Sequence, residues 1–171
     1  MKGLRGRGMN KAVMISIKPK WCELIAKGKK TLEIRKTRPK IKTPFKCYIY
    51  MTKSNLTGDR KAYKDRMAGK VIGEFVCDFI YENISYDSED TCVSASDLKR
   101  YANGKPLFGW HISNFVIYNP PKEIGEFRKA GALSYDDWLY GIYNGEFSYE
   151  KYLLPFKMTR PPQSWCYVGE K

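Results

Sequence analysis

The chain is 171 residues long and 43% hydrophobic, which suits one domain with a real core rather than a disordered tail. No stretch is long and apolar enough to span a bilayer, and the start lacks the order of a secretory leader. A formal charge of +13 attracts polyanions over roughly 8–10 Å at physiological salt, so nucleic acid is the first candidate partner, ahead of a membrane surface or a merely solubilising charge.

Five cysteines (Cys22, Cys47, Cys77, Cys92, Cys166) are widely spaced without a C-x-x-C, and His111 is the only histidine. Neither a metal site, a disulfide framework nor a bound cofactor is expected. The expected compartment is a reducing cytoplasm.

In chain order, residues 1–10 are basic and glycine-rich and read as a flexible arm. Residues 11–171 read as one domain. Ala12 to Ile17 has the run of a buried strand. Pro19 to Gly28 reads as a helix, with proline in its first turn, Trp21, Leu24 and Ile25 on one side, and Gly28 at the left-handed stop. Thr31 to Lys36 alternates as a strand, with Thr31, Glu33 and Arg35 on one face and Leu32 and Ile34 on the other. Thr37 to Pro44 is a basic, proline-containing turn, and Cys47 to Thr52 is a strand.

Lys53 to Gly69 reads as a loop or short helix. Lys70 to Tyr81 reads as one long strand, bent at Gly73. Ser94 to Asn103 is a serine-capped helix ending near Gly104. Pro106 to Tyr118 is strand-like and stopped by Asn119-Pro120-Pro121. Ser134 to Tyr143 carries a helix signal within a possible helical elaboration at 126–159, and Trp165 to Val168 closes the chain as a strand. Strands outnumber helices and alternate with them irregularly. This predicts an α+β, mostly β fold, a small mixed β-barrel with peripheral helices.

Gly28, Lys30, Glu33 and Arg35 form the pattern G-x-K-x-x-E-x-R, which resembles the signature of the ASCH domain family. ISIKPKWCELIAKG before it, and GKVIGEF, GWHISN and RPPQSWCYV after it, resemble the small phage- or prophage-type members. The resemblance implies a PUA-like barrel with the motif lining a cleft that binds RNA or a single-stranded or modified nucleotide. There Glu33 would accept hydrogen bonds from a base, and Arg35 would grip a phosphate or base edge. Lys30 and Thr31 stand beside them. An internal ion pair with no ligand is the competing reading of the same residues.

Lys36, Arg38 and Lys40, with Lys42 and Lys46, follow the motif as a phosphate-tracking rim or as a solvated loop. Tyr48 and Tyr50 are candidate stacking surfaces. Trp110 reads as core or as a stacking wall, His111 as a hydrogen-bonded structural residue, and Cys22 as packing. Some relatives are enzymes. A family amidohydrolase that deacetylates an acetylated cytidine nucleoside implies Lys30, Glu33 and Glu74 as its counterpart positions here. Its nucleophilic threonine, however, falls at Glu33. Ribonuclease chemistry with Lys30 and Glu33 as acid and base is the other enzymatic alternative. A protein-interaction accessory role is the third reading.

Overall fold

A computed structural model describes residues 11–53, 66–130, 143–144 and 157–170. The basic arm, nearly all of the predicted helix Ser134 to Tyr143 and most of 126–159 lie outside the described residues. The elements in chain order are β1 (Lys11–Ile17), α1 (Pro19–Ala26), β2 (Leu32–Arg35), β3 (Phe45–Met51), β4 (Val71–Cys77), β5 (Ile80–Glu82), α2 (Ala95–Ala102), β6 (Phe108–His111), β7 (Ser113–Lys122) and β8 (Trp165–Gly169).

A five-stranded sheet runs β7-β4-β3-β1-β8, and a three-stranded sheet runs β2-β6-β5. The predicted class is therefore met, but the described strands form two sheets that do not close into a barrel. Among the described strands, only β1 and β3 pair in parallel, because α1 and β2 carry the chain across between them. Both of these strands are covered on both faces, so they read as continuous apolar runs rather than as alternations.

Three apolar clusters follow from the side-chain alternation. Val13, Ile15, Cys47, Ile49, Phe75 and Trp110 fill the space between the sheets. Ala12, Met14, Tyr48 and Tyr50 point the other way, against Phe127 and Met158. Leu32 and Ile34 pack on Leu98, Ala102 and Leu107, which seats α2 on the outer face of β2. Trp110 is fully buried and meets Phe45 and Trp165 edge-on. Truncating such an indole to alanine costs about 3–5 kcal/mol.

Two predicted strands divide. Lys70 to Tyr81 is not continuous: it breaks at Asp78-Phe79, sending β4 to the large sheet and β5 to the small one. The Asp78 carboxylate holds His111 Nδ1 at 2.6 Å, and the His111 N–H donates to Phe79 O at 2.9 Å, which fixes that corner. Gly73 marks a close approach: a Cβ there would stand 2.3 Å from Val116 O of β7.

Pro106 to Tyr118 splits at Ile112 into β6 and β7, and Asn119-Pro120-Pro121 does not end the strand, which runs on to Lys122. β7 is an edge strand, and its ladder passes from Ile117 to Lys122 without pairing either proline, so their missing N–H groups leave no gap. The serine-capped helix matches its prediction. Ser94 Oγ accepts from Asp97 N, and Asn103 takes the left-handed position at its end.

Candidate nucleic-acid cleft

The site begins with the way α1 stops. Gly28 lies at φ +68°, and its N–H donates to Ile25 O at 2.9 Å while that of Lys29 donates to Leu24 O at 2.9 Å. This is the paired 6→1 and 5→2 hydrogen bonding of a Schellman motif, which needs a residue free of Cβ strain at C′. The chain therefore reverses within two residues and delivers Lys30 beneath the helix, its own N–H also bonded to Leu24 O at 3.2 Å.

Lys30 is only 2% exposed. Its ammonium donates to Leu32 O at 2.7 Å and to Thr91 O at 2.6 Å, and stands 3.5 Å from Glu33 Oε2. The Trp21 ring lies 5.3 Å from the same ammonium, a cation–π distance. Burial lowers the Lys30 pKa below its ordinary value, against the opposing pull of the Glu33 carboxylate.

Glu33 is 4% exposed. Arg35 Nη1 approaches its Oε1 at 2.6 Å and also donates to Ile34 O at 3.1 Å. Arg35 Nη2 reaches across to Ser16 O at 2.7 Å, tying β2 to the end of β1. Glu33 is thus held by two cations, yet the triad is not closed on itself. Glu33 Oε2 and Arg35 Nε are both buried without a hydrogen-bond partner. A third such atom, Trp110 Nε1, belongs to the core and not to the cleft.

Lys30, Glu33 and Arg35 line a cleft of about 800 Å³. Its walls come from the end of β1 (Ser16), from Lys18, Lys20 and Trp21 around α1, from Asp97, Arg100 and Tyr101 on α2, and from Gln163 and Ser164. The Gln163 wall is fixed to β1, since Ser16 Oγ donates to Pro162 O at 2.6 Å and Ser16 N donates to Ser164 O at 2.9 Å. Five basic side chains face two acidic ones across this lining, and Arg100 pairs with one of them, Asp97. The cleft therefore favours an anion.

Of the predicted site residues, Lys30, Glu33 and Arg35 come together here, while Thr31, Lys36, Arg38 and Lys40 do not line the cleft. Lys36 is nearest in kind: its ammonium lies 4.7 Å over the ring of Tyr101, which does line it.

Tyr48 and Trp110 are fully buried and Tyr50 is 5% exposed, so none of the three presents a ring for an incoming base. Trp110 thus takes the core alternative of its two readings, while Tyr48 and Tyr50 were expected as stacking surfaces because alternation does not say which face of a doubly covered strand is open. Glu74 is also misplaced as a partner of Lys30. It pairs in register with Tyr48, whose side chain belongs to the opposite core, and it receives the Tyr118 hydroxyl there. The Lys30, Glu33, Glu74 constellation does not assemble.

The aromatic walls that do exist, Trp21 and Tyr101, read in the sequence as ordinary helix residues. The available signal was their position beside the buried stripe: Cys22 and Ile25 bury from α1, Leu98 and Ala102 from α2, and the neighbouring aromatics stay at the surface. Among the described residues no group of three or more His, Cys, Asp or Glu could hold a metal ion. All five cysteines are free thiols. No described helix is long and apolar enough to cross a membrane.

No curated protein matches the chain in sequence. Its fold is similar to that of an ASCH protein from Zymomonas mobilis, at a TM-score of 0.52 and 17% identity, covering 93% of this chain and 88% of that one. A tyrosine-to-phenylalanine variant of that protein superposes at 0.56 with 17% identity, covering 94% and 92%. A serine-to-alanine variant gives 0.57 at 17% identity, covering 95% and 92%. The ASCH domain model matches residues 15–122, more than half of the chain, and this span holds the helix stop, Lys30, Glu33 and Arg35. The chain belongs to the ASCH domain family, with its PUA-like fold.

Proposed function

We propose that the cleft binds a single unpaired nucleotide of an RNA strand. The observation that carries the reading is a pair of buried polar atoms without a hydrogen-bond partner, Glu33 Oε2 and Arg35 Nε, on residues that line a cleft of net positive lining. A buried donor or acceptor left unsatisfied costs about 1–3 kcal/mol, so a ligand that pairs with both recovers that penalty on binding. A base edge offers an amino donor to Glu33 and an acceptor to Arg35. Trp21 and Tyr101 offer faces for stacking, and Lys18 and Lys20 stand at the mouth for phosphate.

Binding is favoured over chemistry by the state of Lys30. Its ammonium already donates to Leu32 O and Thr91 O and stands at ion-pair distance from Glu33, so it holds the strand rather than waiting for a proton or an acyl group. The test is fluorescence anisotropy with short unstructured RNA over a salt series. Affinity is expected to fall as salt rises, and Tyr101→Ala or Lys20→Glu, on exposed side chains, is expected to weaken binding by roughly tenfold. No binding by the unaltered protein at low ionic strength ends the reading.

A further inference from the structure

A second groove, of about 820 Å³, lies on the other side of the basic loop that follows β2. Arg38, Lys40 and Lys42 form one bank, and Phe79 and Ile80 form the other. Phe79 and its neighbour Tyr81 are 53% and 47% exposed, with ring centroids 4.8 Å apart in an edge-to-face pair. A folded chain gains nothing from holding two large rings in water, and exposed aromatic pairs mark contact surfaces.

The loop is held in place. Thr37 Oγ1 accepts from Trp165 Nε1 at 3.0 Å, the Lys40 N–H donates to the Tyr167 hydroxyl at 2.6 Å, and Pro39 is buried. Glu82 pairs with Arg38 at 3.3 Å, whereas Lys40 and Lys42 have no acidic partner among the described residues. Cations fixed beside exposed rings form a pre-organised surface that suits phosphates and bases together. It also lies close to the cleft along the chain. Arg38 of the groove stands three positions after Arg35 of the cleft, a span of at most roughly 11 Å, and Lys36 between them lies over Tyr101 of the cleft wall.

We infer that this groove carries the next stretch of the single strand whose nucleotide occupies the cleft, with Phe79 and Tyr81 stacking bases and Lys40 and Lys42 tracking phosphates. The inference rests on the cleft reading but is separable from it. The two probes are an unstructured RNA of about twelve nucleotides and a trinucleotide, since such platforms engage roughly 4–16 nucleotides.

Phe79→Ala/Tyr81→Ala is expected to weaken binding of the longer RNA at least tenfold and to leave the trinucleotide unchanged. Lys40→Glu/Lys42→Glu is expected to lower the salt slope by about 1.4, two phosphates at about 0.7 each. If the longer RNA binds and Tyr101→Ala weakens it while both groove variants do not, the groove is overturned and the cleft stands. If the unaltered protein binds neither probe, both readings fall. If the aromatic variant instead abolishes concentration-dependent self-association in sedimentation and leaves RNA affinity intact, the face is a protein contact and the inference is overturned.

Discussion

Two glutamates, Glu33 on β2 of the small sheet and Glu74 on β4 of the large one, sit in opposite kinds of polar cluster. Glu33 lies inside, between Lys30 at 3.5 Å and Arg35 at 2.6 Å, with one carboxylate oxygen lacking a hydrogen-bond partner. Glu74 lies about a quarter exposed on the far face of the large sheet, where Lys46 approaches at 3.3 Å and the Tyr118 hydroxyl donates to its other oxygen. Lys46 is shared in turn with Glu170 at 3.7 Å. The second cluster is closed by its own ion pairs and hydrogen bond. The first keeps a buried acceptor and a buried donor without a hydrogen-bond partner, on residues that line a cleft, at a cost to folding.

The largest effect that separates them is on stability. Glu33→Ala leaves two buried cations without a counter-charge and is expected to cost about 3–5 kcal/mol. Glu74→Ala removes a partly exposed pair whose energy water largely screens, and is expected to cost about 1 kcal/mol or less. Urea denaturation of both variants measures the difference. Equal losses would mean that Glu33 is no more buried in energy than Glu74, and the distinction would collapse.

Binding separates them next. Glu33→Gln keeps the size of the side chain and an acceptor but removes its charge, and is expected to weaken the short RNA by about tenfold, or 1.4 kcal/mol. Glu74→Gln is expected to leave that affinity unchanged. A loss in both would move the site to the other face of the sheet. Within the closed cluster, Tyr118→Phe removes one hydrogen bond and is expected to cost about 1 kcal/mol in urea denaturation, with RNA affinity untouched.

The same contrast shows how much was legible beforehand. Gly28 and Lys30 were readable because a helix stop is local: the glycine, the hydrogen bonds that need it and the residue it delivers lie within a few positions. Glu33 and Arg35 were readable because two residues two apart on a strand must share a face. The side of the sheet for Glu74, Tyr48 and Tyr50 was not, because β3 is buried on both faces and β4 on most of its length, so alternation does not tell one face from the other. Trp21 and Tyr101 line one cleft from helices far apart in the chain, and no local pattern encodes that. The corner at Asp78 was hidden for a related reason. Its anchor is His111, more than thirty residues away.

The smallest effect is a slope, and it has opposite signs at the two lysines. Burial pulls Lys30 below its ordinary 10.5, and Glu33 does not fully restore it. Between that lowered value and 10.5 the unfolded chain binds the extra proton, so the Lys30 contribution to stability rises with pH across this window. Burial also works to lower Lys46, but Tyr48, Glu74 and Glu170 together outweigh it and raise it above 10.5. Its contribution is full below 10.5 and is lost only as pH climbs through the raised value. The buried thiols Cys22, Cys47 and Cys77, pushed up by burial from 9.0, add a falling slope to every variant alike and cancel in differences. Urea midpoints from neutral pH to 10.5 should therefore rise less steeply, or fall more steeply, in Lys30→Met than in the unaltered protein. In Lys46→Met they should run parallel to it. Parallel curves for both variants would mean that Lys30 keeps its ordinary affinity for the proton, and that the cleft is wetter than its geometry implies.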